Sequence, residues 1–247
     1  MKKNMPALIL GIFLVLLWQF IAMGIDAAYI LPSPLQILVK LWQLKEILLL
    51  VHLPATMGVT FLGLLISVVL GVFLSVIMDS NKNIENALYP IIIASQTIPT
   101  TAIAPLFVLW FGYSIWSKVL VTILITFFPI AITVYDGLKS TKREMEELLI
   151  TYGANKKDIF IKLKFPTALP SFFSAIKMAI PMSIIGAAIA EWLGAQSGLG
   201  YFSKRMMTQL DGAGVFAPVV LLSFVAMISV AIINMIEKKL ITWRKEI

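Results

Sequence analysis

EMEELLITYGANKKDIFIKLKFPTALP, residues 144–170, is the longest polar interruption in an otherwise apolar chain. Residues 146–152 predict a short helix. Gly153 follows where a helix end in the left-handed conformation favours a residue without Cβ. Asn155 predicts the start of a second helix, with Asp158 three positions on as its capping-box partner. The stretch therefore predicts two short helices joined by a glycine turn.

The second helix is expected to end at Phe165, because the residue before a proline is sterically disfavoured in the helical region. The basic residues in and beside this stretch are Lys139, Lys142, Arg143, Lys156, Lys157, Lys162 and Lys164. We call residues 138–170 the central polar segment. Two charged helices that meet at a glycine turn between membrane spans predict a docking surface in water.

The composition of the whole chain is that of a polytopic membrane protein. The 247 residues are 60% hydrophobic and 13% charged, with a mean hydropathy of +0.94, whereas soluble domains are about 25% charged. The net charge of +7 is typical of basic cytoplasmic loops rather than of nucleic-acid binding. The chain contains no cysteine and one histidine, which excludes disulfides, a thiol nucleophile and a Cys- or His-rich metal site.

Six apolar runs predict an all-α membrane protein with a single domain over residues 1–247. Each run approaches or exceeds the ~20 residues that cross a bilayer. The predicted spans are about 5–24, 55–78, 88–112, 116–135, 172–193 and 215–236. A retained first span is favoured over a cleaved signal peptide, since the apolar run is long for a signal sequence.

Two further features refine this picture. Ser33 followed by Pro34 predicts the start of an interfacial helix between the first two spans. Glycines in the second span are expected to permit close contacts with neighbouring helices. These glycines are Gly58, Gly63 and Gly71.

Polar residues in two spans are candidates for a translocation pathway. The third span carries Gln96, Thr97, Pro99 and Thr100 in one short stretch, and proline frees carbonyls that other groups must satisfy. Two interpretations remain open for this stretch: a kinked helix held by interhelical hydrogen bonds, or the wall of a polar pathway. Glu191, near the end of the fifth span, is either a functional carboxylate or a boundary residue hydrogen-bonded to neighbouring backbone.

The Lys and Arg residues lie unevenly on the two sides of these spans, which predicts the orientation. Fourteen of the twenty fall on the side that holds both termini, the turn at 79–85 and the central polar segment. Five fall on the opposite side, namely Lys40, Lys45, Lys118, Lys204 and Arg205. We therefore expect the central polar segment and both termini to be cytoplasmic.

The sequence gives no indication of catalysis. It lacks G-x-x-x-x-G-K-[ST], so no nucleotide site of the chain's own is expected. The single histidine, His52, is predicted as a boundary residue rather than a ligand, and no Ser–His–acid set or metal-ligand spacing is evident. We expect no enzyme activity and no cofactor or metal bound by this chain.

The central polar segment resembles the EAA motif, E-A-A-x-x-x-G-x9-I-x-L-P, of permease subunits of binding-protein-dependent ABC importers. Glu147, Gly153 and Pro166 keep its spacing, while Leu148 and Leu149 replace its alanines. The resemblance implies that residues 138–170 are a coupling loop that docks into a cleft of a cytoplasmic ATPase. The docking residues that it implies are Glu146, Glu147, Leu148, Leu149, Tyr152, Gly153, Ala154, Asn155, Asp158 and Pro166.

The resemblance covers nearly the whole chain. Within the family, the chain is similar to the branch that imports nitrate, alkanesulfonates, taurine or thiamine-pyrimidine precursors. The stretches 31–34, 96–99, 104–112 and 198–200 carry it. Within this branch, AEWLGAQ at 190–196 is most similar to permeases for hydroxymethylpyrimidine-type thiamine precursors.

The resemblance also implies the partners and the location of the chain. It implies a bacterial inner-membrane importer in which an ATPase dimer holds ATP and Mg. A solute-binding protein outside the cytoplasm would deliver the cargo. Because symmetric homodimers are the commonest oligomers, we also expect a second copy of this chain to complete the pathway. The bilayer surrounds the spans, and no nucleic acid takes part.

Two other functional classes remain open. An ion-coupled secondary transporter would use Glu191 or Asp136 as a proton carrier, although no internal repeat is evident. A channel or assembly scaffold would leave the central polar segment without a role. A requirement for ATP and a partner ATPase would distinguish the importer from both.

Overall fold

The computed structural model describes residues 5–25 and 27–243, and every regular element in these ranges is helical. The basic residues Lys2, Lys3, Arg244 and Lys245, which contribute to the predicted orientation, lie outside the described residues. The helices are α1 (Met5–Ile25), α2 (Pro34–Gln43), α3 (Lys45–Ser80), α4 (Lys82–Ser95), α5 (Thr100–Phe111), α6 (Ile115–Lys139), α7 (Arg143–Thr151), α8 (Lys156–Gly194), α9 (Leu199–Thr208) and α10 (Gly212–Leu240).

Five of these helices are long and apolar enough to cross a membrane, and a bent pair would make a sixth span. The five are α1, α3, α6, α8 and α10, and the bent pair is α4 with α5. The prediction of an all-α polytopic membrane protein is confirmed.

The run at 88–112, predicted as one span, is divided between α4 and α5, which meet at 95°. The end of α4 tightens into three-residue turns, in which the Gln96 N–H donates to the Ile93 carbonyl at 3.2 Å and the Thr97 N–H to the Ala94 carbonyl at 3.1 Å. Pro99 then follows, and proline excludes the residue before it from the helical region. The helix therefore breaks completely here instead of only kinking.

The centre of the fold is formed by α3, α6 and α8, which pack together along their lengths. Gly63 and Gly71 bring α3 against α6: a Cβ added to Gly63 would lie 2.6 Å from Thr122 Cγ2, and one added to Gly71 would lie 2.9 Å from Ile130 Cγ2. The predicted close helix contacts are confirmed at these two glycines. They are absent at Gly58, where an added Cβ would meet nothing within 4 Å.

Hydroxyl groups reinforce the contact between α3 and α6. The Thr126 hydroxyl donates to Ser67 Oγ at 2.7 Å, and the Ser75 hydroxyl lies 2.7 Å from the carbonyl of Ala131. Each of these side chains is buried. Where water is excluded, such bonds satisfy polar groups that would otherwise be costly to bury.

The ends of α2 and α8 test two local predictions. Ser33 begins α2 with a capping box, because its hydroxyl accepts the Gln36 N–H while the Gln36 side chain accepts the Ser33 N–H. The predicted helix end at Phe165 is wrong, since α8 continues through Pro166 to Gly194. A turn of π-helix at Phe160–Lys164 ends two residues before this proline. Its wider backbone accommodates the ring and the missing N–H without ending the helix.

Candidate functional site

The turn between α7 and α8 is a Schellman motif, the helix ending that a left-handed glycine permits. Gly153 has a φ of +80°. Its N–H donates to the Ile150 carbonyl at 2.9 Å, and the N–H of Ala154 donates to the Leu149 carbonyl at 3.0 Å. The predicted left-handed glycine is confirmed.

The start of α8 is fixed by the predicted capping box. The Asp158 N–H donates to Asn155 Oδ1 at 2.9 Å, and the Asn155 N–H donates to Asp158 Oδ2 at 3.4 Å. The motif satisfies two backbone donors that a helix start leaves without partners. The angle between α7 and α8 is thus set by residues within one short stretch of sequence.

One face of α7 is apolar and exposed to solvent. Met145, Leu148 and Tyr152 lie three and four residues apart on this face, with exposed fractions of 47%, 48% and 80%. Beside them, Glu147 pairs with Arg143 at 2.8 Å on the exposed surface, a pair that contributes little to stability. An exposed apolar face with a charged rim is typical of a protein-binding surface.

The central polar segment is held to the rest of the fold by Lys164. Its Nζ lies 3.0 and 3.1 Å from the two carboxylate oxygens of Asp79, at the end of α3. The same amine lies 3.4 Å from Glu146 on α7. The Lys164 and Asp79 side chains are only 16% and 6% exposed. A single lysine therefore connects α3, α7 and α8.

Sequence reasoning missed this bridge. Lys164 was counted only among the basic residues of the segment, and its partner Asp79 lies 85 positions earlier in the chain. One signal was available: an acidic residue at the C-terminal end of a helix opposes the helix dipole. Asp79 stands in the last turn of α3, so a cationic partner was to be expected.

The pathway candidates of the third span lie at the turn between α4 and α5. Gln96 and Thr100 line a cavity of about 310 Å³ between this turn, α6 and α8. Thr97 and Pro99 lie in the same turn but are not among the residues that line the cavity. The Thr97 hydroxyl instead donates to the Ala94 carbonyl at 2.7 Å.

Glu191 lies away from this cavity and is 1% exposed. One of its carboxylate oxygens accepts the Gly200 N–H at 2.8 Å. A Cβ on Gly198, which has a φ of +116°, would overlap the carboxylate. The structure thus places the Glu191 carboxylate against the glycine-rich loop 194–200, where it accepts a backbone N–H.

Two more side chains bind the same loop. His52 Nδ1 accepts the Gly198 N–H at 3.1 Å, and the Thr56 hydroxyl accepts the Leu199 N–H at 2.8 Å. Together with Glu191, they satisfy three successive amides at the start of α9. His52, which was predicted as a boundary residue rather than a ligand, has a buried side chain. Sequence alone gave no signal for this contact, because His52 and Gly198 are 146 positions apart.

An ion pair closes the same end of the fold. Lys40 on α2 lies within 2.6 Å of Asp211, which caps α10 by accepting the Gly214 N–H at 2.9 Å. Burial acts to raise the pKa of the Asp211 carboxyl, but the bonds from Lys40 and from the Gly214 N–H outweigh it. The pKa of Asp211 is therefore below its usual value.

Nothing in the described ranges suggests a metal centre: no three His, Asp or Glu side chains lie together there as ligands. The geometry instead combines an exposed apolar helix, a bridge from that helix to α3, and a cavity beside a broken helix. An exposed apolar helix of this kind is typical of a surface that binds a partner protein.

Comparisons with known proteins agree with this geometry. The family described as "Binding-protein-dependent transport system inner membrane component" matches residues 67–242. Formylaminopyrimidine transport permease protein ThiX of Halalkalibacterium halodurans is 51% identical over 249 residues, covering 100% of both chains. Putative aliphatic sulfonates transport permease protein SsuC of Bacillus subtilis is 29% identical and covers 97% of this chain and 88% of its own length.

A solved structure has the same fold. A chain of the MetNI methionine ABC transporter, in an inward-facing conformation, aligns with a TM-score of 0.57 at 20% identity. The alignment covers 85% of this chain and 97% of the MetNI chain. At this identity the likeness concerns the fold alone. From the family match and the full-length relative, we conclude that the chain belongs to the inner-membrane permease components of binding-protein-dependent ABC transport systems.

Proposed function

We propose that this permease imports a small pyrimidine related to the thiamine precursors, using ATP hydrolysed by a separate subunit. The observation that carries the cargo is the 51% identity to a formylaminopyrimidine permease along the entire chain. The alternative cargoes are nitrate, alkanesulfonates and taurine, and a sulfonate permease is 29% identical.

The proposed docking site for the ATPase is the central polar segment, residues 138–170. Its support is the exposed apolar face formed by Met145, Leu148 and Tyr152, which a membrane protein has no reason to leave in water unless a partner covers it. The Schellman turn and the capping box give α7 a fixed direction toward that partner. ATP and Mg would be held by the ATPase dimer, and this chain would bind neither.

Closure of the ATPase dimer would then push on α7 from the cytoplasmic side. The push would reach α3 through Lys164 and Asp79, because that ion pair joins the two elements. It would also pass along α8, which is continuous from the capping box to Gly194. In this way the spans would change between inward- and outward-open states.

The remaining parts of the importer are proposed from the family. A second copy of this chain would complete the pathway, since symmetric dimers are the commonest oligomers. A solute-binding protein would deliver the cargo at the end of the fold that holds α9 and the Lys40–Asp211 pair. The central polar segment and both termini would lie in the cytoplasm of a bacterial cell.

The orientation is tested by introduced thiols, since the chain has no native cysteine. Lys157→Cys in the central polar segment should resist a membrane-impermeant thiol reagent added outside intact cells. Lys204→Cys, on the exposed side of α9, should be labelled. The reverse pattern would contradict the orientation.

The cargo is tested by uptake into vesicles that hold the permease, its ATPase and its binding protein. Labelled formylaminopyrimidine should accumulate, and an excess of unlabelled taurine should leave its uptake unchanged. Uptake of labelled taurine instead, with no accumulation of the pyrimidine, would assign the chain to the sulfonate branch.

A further inference from the structure

We propose that the cavity beside the α4–α5 turn is a contact site for an uncharged, planar heteroaromatic cargo on its way through the permease. This inference rests on the proposed importer function and specifies the cargo chemistry that the chain itself admits. The cavity measures about 310 Å³, the size of a site for one small molecule. The lining residues that carry the argument are Ser95, Gln96, Thr100, Ile125, Phe128 and Met182.

The 95° bend creates the cavity and exposes polar groups inside it. Because the chain leaves the helical path after Ser95, Gln96 projects from the turn and is exposed. No residue in the described part of the chain forms a hydrogen bond with its amide. An amide side chain offers two donors and an acceptor, so Gln96 can bind either edge of a heterocycle.

A second acceptor comes from α6. Pro129 lies within this helix and has no N–H, so the Ile125 carbonyl four residues earlier loses its helical donor. Ile125 and Pro129 both line the cavity. A carbonyl freed in this way must find another donor, and an amino group on a passing cargo would provide one.

The apolar part of the lining suits a flat ring. Phe128 contributes an aromatic side chain and Met182 a polarizable thioether, and both types of group make favourable contacts with aromatic rings. Phe128 and Met182 come from α6 and α8, whereas Gln96 comes from the α4–α5 turn. A ring between them would contact all three elements.

The charge of the lining decides between cargo classes. None of the ten residues that line the cavity is ionisable. An anion that loses water without gaining a cationic partner is disfavoured, and a nitrate or sulfonate would find no such partner among these residues. A neutral aminopyrimidine needs only hydrogen bonds and ring contacts, and the cavity supplies both.

The first test is protection of an introduced thiol in vesicles that hold the complete importer. Gln96→Cys is compared with Asn83→Cys, whose position is exposed at the start of α4 and outside the cavity. During ATP-driven turnover, formylaminopyrimidine should slow N-ethylmaleimide labelling at position 96 by roughly threefold or more, because a bound molecule shields the residues it covers. Labelling at position 83 should not change, and taurine should protect neither position.

The second test measures flux. Gln96→Leu should lower the maximum rate of pyrimidine uptake about fivefold, the equivalent of one ordinary hydrogen bond. ATP hydrolysis stimulated by the binding protein should persist, and Asn83→Leu should transport at the wild-type rate.

The outcomes separate this inference from the proposed function. If the wild-type complex imports no pyrimidine, the proposed cargo is wrong. If it imports pyrimidine while labelling at position 96 stays unprotected and Gln96→Leu transports normally, the cavity is not a cargo site. Equal protection by taurine would contradict the preference for an uncharged cargo.

Discussion

Replacing Lys164 by methionine should uncouple ATP hydrolysis from transport. Methionine keeps much of the length of the side chain but removes the amine that binds Asp79 at 3.0 Å and Glu146 at 3.4 Å. Because Asp79 is 6% exposed, its carboxylate would be left buried without a partner. Breaking a buried ion pair in this way costs about 3 kcal/mol.

The free energy lost with this ion pair weakens the attachment of α7 and α8 to α3. The Glu146 side chain is 31% exposed, so its contact with Lys164 adds little, and the Asp79 contact dominates. A difference of about 3 kcal/mol is roughly a hundredfold change in the ratio of attached to detached segments. A push on α7 would then be lost before it reached α3.

The assay is the number of cargo molecules imported per ATP hydrolysed by the reconstituted importer. The exposed face of α7 is untouched by Lys164→Met, so the ATPase should remain bound while this ratio falls about tenfold or more. Adding Asp79→Asn removes the unpaired charge and should restore about 2 kcal/mol of stability, measured as the apparent melting temperature. It should not restore coupling.

Lys162→Met is the matched control. Lys162 lies two residues away and pairs with Asp158 at 2.8 Å, but this pair is exposed and lies within a single helix. Removing it should change stability by well under 1 kcal/mol and leave coupling intact. A normal transport ratio in Lys164→Met, or an equal loss in Lys162→Met, would refute the bridge.

Substitutions at three further positions test the ends of the fold. Gly153→Val should release or uncouple the ATPase while the protein still inserts. The space around Gly153 is open, so the cost of about 1–2 kcal/mol comes from backbone strain at its φ of +80° alone. Asparagine tolerates this conformation better, so Gly153→Asn should still co-purify with the ATPase. Glu191→Gln should keep a substantial part of uptake, because the glutamine oxygen can still accept the Gly200 N–H. Glu191→Leu should lose more uptake, since an unpaired buried donor costs about 1–3 kcal/mol. Equal uptake in both variants would contradict a role for Glu191 as a hydrogen-bond acceptor. Asp211→Asn should lower the melting temperature at pH 7 by removing the Lys40 pair. The pKa of Asp211 is lowered in the folded chain, so the stability that ionised Asp211 contributes is fully present above the ordinary aspartate pKa of 3.8. This stability is lost as the pH falls through the pKa of Asp211 in the folded chain. The difference in melting temperature between the wild type and Asp211→Asn should therefore vanish in acid.

Local sequence chemistry was sufficient for the features that form within a few residues. Gly153, the Asn155–Asp158 capping box and the helix start at Ser33 each depend on neighbours in the chain, and residue type and spacing predict each of them. Pro166 shows the limit of this reasoning. The residue before this proline is disfavoured in a helix, which predicts a helix end at Phe165. The structure instead has a π-helical turn at Phe160–Lys164, which residue type alone does not indicate.

Features formed between distant residues could not be predicted from the sequence alone. The Asp79–Lys164 bridge joins residues 85 positions apart, and the contact of His52 with Gly198 spans 146. Glu191 illustrates an intermediate case: bonding to neighbouring backbone was one of two open interpretations, and the structure gives it the Gly200 N–H as partner. The 95° angle between α4 and α5 likewise exceeds the kink that Pro99 and the polar residues beside it indicate.

The measurement that tests the central claim most directly is the energy source of uptake. Vesicles would hold the permease and its ATPase, with ATP inside, binding protein and labelled pyrimidine outside, and the pH gradient collapsed by an ionophore. Import by an ATP-driven permease should continue under these conditions and should stop when ATP or the binding protein is omitted. Uptake that vanishes with the gradient and persists without ATP would show instead an ion-coupled secondary transporter.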